Sequence, residues 1–105
     1  MSFASNGSDR FRVDSSAAVL RELDRLQRRA THRGQGKSFK AAFRRILRAL
    51  RDRPLTLGEP LYYLKTMHVE VRAVLVAPLL IEFAVSREHQ IVWIKTGKLL
   101  GKRNP

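Results

Sequence analysis

The chain has 105 residues, enough for one hydrophobic core and too few for two. It contains no cysteine, which excludes disulfides and cysteine-ligated zinc, and a hydrophobic fraction of 44% sets it apart from a disordered polyelectrolyte. Lys and Arg number 21 against 9 Asp and Glu, so the formal net charge of +12 points to an anionic partner (nucleic acid, a negatively charged membrane surface or an acidic protein), the alternative being a merely solvated, arginine-rich surface.

The opening MSFASNGSD is small and polar, lacks the cationic and apolar regions of a secretion signal, and is read as a flexible tail over residues 1–9. Residues 10–100 are read as a single domain, with a short basic tail over 101–105. In RFRVD, Phe11 and Val13 alternate with charged residues, the pattern of a short strand with one buried face. Ser15 and Ser16 follow as helix caps, because their hydroxyls accept from the first free helical amides. Val19, Leu23, Leu26 and Ala30 then recur at helical spacing, and the other side of that helix is dominated by Arg21, Arg25, Arg28 and Arg29. Gly34 and Gly36 break the pattern. A second helix is predicted from near Ser38, with Phe39, Phe43, Ile46 and Leu50 as its stripe, Arg44 and Arg48 off its centre, and Pro54 as its stop. So short a connection predicts an antiparallel helical hairpin.

Four strands are predicted next: Leu61–Thr66, Val69–Val76, Leu79–Val85 and Ile91–Thr96, joined at Met67-His68, at Ala77-Pro78 and by the polar Ser86–Gln90. The expected fold class is therefore α+β, with element order β-α-α-β-β-β-β and an antiparallel sheet covered on one face by the helical hairpin. The longest apolar run is too short for a membrane-spanning helix and contains Pro78 and Glu82, so an unexported, cytoplasmic protein is expected. His32, His68 and His89 show no metal-ligand spacing, and no cofactor motif is present.

Alternation assigns faces to these strands. Val69, Val71, Ala73 and Leu75 form one apolar set, and Leu79, Ile81, Phe83 and Val85 another; both are expected under the helices. The open face would then carry Tyr63, Lys65, Glu70, Arg72 and Glu82. The last strand admits two readings, Val92 and Ile94 inward or the only tryptophan inward; Trp93 outward is preferred because Lys95 shares its parity and cannot be left unpaired in a core. A plain structural role for Arg72 is an ion pair with Glu82 or Glu70, contributing at most ~1 kcal/mol.

The basic helical hairpin, the loop ending Gly58-Glu59-Pro60, the strands VEVRAVLV and IEFAV and the closing IVWIKTGK resemble the RelE/ParE superfamily of toxins from type II toxin–antitoxin systems, over about Phe11 to Leu100. Members of the RelE kind are ribosome-dependent endoribonucleases that cleave messenger RNA without metal, by directing a 2′-hydroxyl at the adjacent phosphate. The resemblance implies Lys65, Arg72 and Lys98 as the catalytic cations, with Tyr63, His68 and His89 as substitute proton carriers. It implies Arg21, Arg25, Arg28, Arg44, Arg48 and Lys95 as nucleic-acid contacts, no cofactor, and a cognate antitoxin, the ribosome and messenger RNA as partners. The chain departs from the family pattern at Leu99, where arginine is usual, at Tyr63, where lysine is usual, and in a tail lacking the usual tyrosine. These departures keep open the ParE branch, which poisons DNA gyrase by binding it, and a catalytically degenerate basic relative that only binds nucleic acid.

Overall fold

A computed structural model describes residues 2–3 and 10–100; the basic tail over 101–105 and most of the N-terminal tail lie outside the described residues. The elements are β1 (Ser2–Phe3), β2 (Arg12–Ser15), α1 (Ala17–His32), α2 (Gly36–Asp52), β3 (Glu59–Leu64), β4 (Val69–Val76), β5 (Leu79–Ser86) and β6 (Ile91–Leu99). The class is α+β, as expected. The sheet is mixed, however, and not purely antiparallel: its order is β1-β2-β6-β5-β4-β3, and β2 runs parallel to β6. Strands β3 to β6 form the expected antiparallel meander. The two-residue β1, which the reading of the N-terminus as a tail does not anticipate, pairs antiparallel with Val13 and Asp14. Among the described residues no helix is long and apolar enough to cross a membrane.

The helices form where the stripes predict. Ser16 caps α1, its hydroxyl accepting from the Val19 amide at 3.1 Å. The turn to α2 uses Gly34 in the left-handed region at φ 76°. α2 starts at Gly36, two residues before the expected Ser38. Leu23, Leu26 and Ala30 of α1, with Phe39, Ala42, Ile46 and Leu50 of α2, pack on Val13, Leu79, Ile81, Phe83, Val85, Val92 and Ile94 of the sheet. At β6 the approach is close: a Cβ on Gly97 would lie 3.0 Å from Leu23 Cδ2 and 3.2 Å from Ile81 Cδ1. Glycine thus lets α1 settle directly on the strand.

A carboxylate locks the same junction. Glu22 on α1 accepts from the Gly97 amide at 3.0 Å and from the Thr96 hydroxyl at 2.8 Å, and the backbone bond above all holds its pKa below the usual value. Because the folded pKa is depressed, this stabilisation is complete above the unfolded pKa and is lost as pH falls through the folded one. Glu22→Gln is therefore expected to cost about 1–2 kcal/mol at neutral pH. The gap between variant and wild type should close in acid, as urea titrations across that range would show; a constant gap would mean that the carboxylate charge is irrelevant.

The face assignments hold for β5 and β6 and fail for β3 and β4. Leu79, Ile81, Phe83, Val85, Val92 and Ile94 lie in the helix-covered core, and Trp93 lies on the other face. In β4, Arg72 sits opposite Phe83, while Val71 sits opposite Ala84. Arg72, Val74 and Val76 therefore share the helix side. Val69 and Val71 form a second, smaller cluster with Ala84 and Trp93 on the opposite face. β3 is displaced likewise: it spans Glu59–Leu64 and not Leu61–Thr66, and Tyr63, opposite Glu70, shares the helix side. Lys65 belongs to no strand; it begins the turn to β4. The physical reason is that both faces of VEVRAVLV are apolar enough to bury, so the sheet has two cores where alternation assumed one.

Candidate functional site

Arg72 is the first residue to place. It is 7% exposed, and each of its guanidinium nitrogens is engaged. Nε donates to the Leu57 carbonyl at 2.8 Å, Nη2 to the Gly58 carbonyl at 3.2 Å, and Nη1 to Glu70 Oε1 at 2.7 Å. The expectation of an open-face cation is thus corrected: the side chain fastens the Leu57-Gly58 loop to β4. The ion pair with Glu70 is the plain structural role expected of it, here reinforced by two carbonyls. Nor does Lys65 join it. Arg72 lies opposite Pro60, and Lys65 lies beyond Leu64, roughly 15 Å further along the β3 direction.

Lys98 sits opposite Leu80 on the open face, where it borders a hollow of about 70 Å³ with Ala73, Glu82 and Thr96. Lys95 occupies the same face. Its ammonium donates to the Tyr62 hydroxyl at 2.9 Å and to Glu82 at 3.3 Å, and the Tyr62 bond is the main cause of its raised pKa. The expected catalytic cations are thus dispersed: Lys98 on the open face, Arg72 in the helix-side core and Lys65 on a turn.

What the fold does bring together is a cleft of about 340 Å³ at one end of the meander, lined by Leu55, Tyr63, His68, Glu70, Val85, Arg87 and Glu88. Its floor is a cross-strand row, Tyr63 opposite Glu70 and Glu70 opposite Val85, on the helix side. Leu55 comes from the loop after α2. His68 closes the β3–β4 turn with a left-handed backbone, φ 52°, which histidine tolerates better than most residues. Arg87 and Glu88 come from the β5–β6 turn. Because alternate turns of an antiparallel meander lie at the same end, the 65–68 and 87–90 turns must adjoin. The cleft holds a phenol, an imidazole, a guanidinium and two carboxylates, one of them already held by Arg72. Two of the three expected proton carriers, Tyr63 and His68, are present. His89 is in the same turn as Glu88, its amide donating to Ser86 Oγ at 3.2 Å, but it does not line the cleft.

The helical arginines fall where expected, outside the core. Arg21, Arg25 and Arg28 line a shallow groove on α1 with Leu20 and Asp24, and Asp24 pairs with Arg28. Arg44 and Arg48 are exposed on α2, where Arg48 lies beside Arg45 and Arg53. Glu70, Arg87 and Glu88 are the residues that sequence reasoning did not assign to a site. The polar SREHQ turn and the meander order together carry the signal that would have paired them with His68. Comparison with protein-family models, with curated proteins and with solved structures found no match to this chain.

Proposed function

We propose that the chain is a toxin of the RelE/ParE kind, a metal-independent endoribonuclease that acts on ribosome-bound messenger RNA through the Tyr63–His68–Arg87 cleft. The observation that carries this reading is the cleft itself, which gathers proton carriers and a cation around the Tyr63–Glu70–Val85 row. Attack of a 2′-hydroxyl on the adjacent phosphate needs a base, a cation for the charge growing on the phosphoryl oxygens, and an acid for the leaving oxygen. His68 takes the hydroxyl proton, Arg87 holds the phosphoryl oxygens, and the Tyr63 phenol protonates the departing 5′-oxygen. Products are a 2′,3′-cyclic phosphate and a 5′-hydroxyl end. The exposed arginines of α1 and α2 bind ribosomal RNA through phosphates. An acidic antitoxin segment would be drawn to the same helices, and the protein would act in the cytoplasm.

His68→Asn, which keeps a residue that tolerates the left-handed backbone at φ 52°, and Arg87→Ala are each expected to slow cleavage of ribosome-bound message by ~100-fold or more, with unchanged thermal unfolding, since both side chains are exposed. Full cleavage by either variant would remove the cleft from the mechanism. One observation favours a second reading. Arg72, one of the cations the resemblance assigns to an RNA-cleaving set, is consumed by Leu57, Gly58 and Glu70. A gyrase-binding toxin needs no such set. It would inhibit supercoiling by purified gyrase and leave message ends intact.

A further inference from the structure

β3 is the outermost strand on its side of the sheet, so one of its edges has no strand beside it among the described residues. All six of its residues are exposed. Five of the seven large hydrophobic residues that are exposed among the described residues lie between Leu61 and Met67: Leu61 at 47%, Tyr62 at 47%, Tyr63 at 54%, Leu64 at 36% and Met67 at 65%. An edge strand offers unpaired amides and carbonyls to any chain that can align with it, and proteins guard such edges with lysine, proline or a bulge. Here Pro60 and the irregularity between Pro60 and Tyr62 guard only the start. From Leu61 to Leu64 the edge carries no charge.

We propose that β3 pairs antiparallel with β3 of a second copy of this chain, about a two-fold axis at Tyr62. The sequence EPLYYLK is self-complementary about that residue. Within the strand Pro60 faces Leu64, Leu61 faces Tyr63 and Tyr62 faces itself, while Glu59 comes beside Lys65 of the other copy, the first residue past the end of β3. Opposite charges therefore meet at both ends of the seam, and apolar or aromatic pairs fill its middle. Charge explains why this edge would be chosen on a chain of net +12. Between Leu55 and Val76 the charged groups are Glu59, Lys65, Glu70 and Arg72, two of each sign, and Glu70 and Arg72 already pair. Like-charged copies approach with least repulsion there, and with most across the arginine faces of α1 and α2. The pairing places both helical layers on the same side of one continuous sheet. The seam is short, so the dimer is expected to be micromolar and concentration-dependent.

Sedimentation equilibrium of the full chain over a range of concentrations tests this register. Wild type should dimerise. Glu59→Lys and Lys65→Glu should each weaken the dimer by about tenfold, since each sets like charges opposite one another twice per dimer. The double reversal Glu59→Lys with Lys65→Glu should restore wild-type affinity. Leu61→Lys, which adds the guard charge the edge lacks, should yield monomer. All these positions are exposed, and unchanged far-ultraviolet circular dichroism would confirm that the variants fold. A wild type that stays monomeric at every concentration overturns the proposal, as does a dimer indifferent to the charge reversals.

Discussion

Arg72→Ala is expected to lower stability by about 3 kcal/mol, measured as a shift in the midpoint of urea unfolding. Wild-type Arg72 is 7% exposed, and its guanidinium holds three acceptors at once: two carbonyls fifteen and fourteen residues upstream, and the Glu70 carboxylate. Truncation leaves Leu57, itself 7% exposed, with a carbonyl that has lost its donor, and it opens a gap beside the core. The carboxylate is penalised less: with 33% of its side chain exposed, water screens it once the partner is gone. That discount is why the estimate sits at the lower end of the range for broken buried pairs. Arg72→Lys should recover only part of the loss, because one ammonium cannot span three acceptors arranged around a planar fork. The same experiment separates architecture from chemistry. A variant that unfolds like wild type yet cleaves no RNA would return Arg72 to the catalytic role implied by the resemblance.

Why Arg72 was misplaced by pattern alone follows from the neighbours it acquires. The helical half of the chain is legible because its periodicity has one reading. Leu23, Leu26 and Ala30 recur on one stripe, Phe39, Ile46 and Leu50 on another, and all six are buried as expected. Strand β5 is legible for a similar reason, since its apolar residues favour one face; in β6, where Ile91 and Trp93 oppose Val92 and Ile94, only Lys95, on the parity of Trp93, tips the reading. β4 is not. Val69, Val71, Val74 and Val76 supply apolar residues to both faces, and only Glu70 and Arg72 break the tie. A charge usually marks the wet side, but this one is satisfied by carbonyls from a loop that no periodic pattern places. The cleft was half legible. The resemblance points to Tyr63 and His68, whereas Arg87 and Glu88 read as ordinary turn residues until the meander sets their turn beside His68. The parallel pairing of β2 with β6 was illegible for a different reason. Two helices separate β2 from every other long strand, and nothing in RFRVD states its direction.

Gly58→Ala is expected to cost at least as much, about 3–5 kcal/mol. Two penalties combine. Gly58 has φ +67°, a left-handed conformation that disfavours any residue with a Cβ by about 1–2 kcal/mol. The added carbon would also lie 2.0 Å from the Ala73 carbonyl oxygen, 2.8 Å from its carbon and 3.0 Å from Val74 Cα. Those atoms are backbone of β4, held between β3 and β5, so the loop must move and the strand cannot. Gly34 is the control. Its φ is +76°, but nothing stands within 4 Å of its would-be Cβ, so Gly34→Ala should cost only the conformational share, about 1 kcal/mol. Displacing the loop at Gly58 also withdraws the two carbonyls that Arg72 binds. The two substitutions therefore damage one joint, and Gly58→Ala with Arg72→Ala should cost clearly less than the sum of the singles. Equilibrium unfolding of the four proteins in that cycle measures the coupling directly. Strict additivity would show that the loop keeps its place without Arg72, and that the buried cation answers to some need other than fastening it.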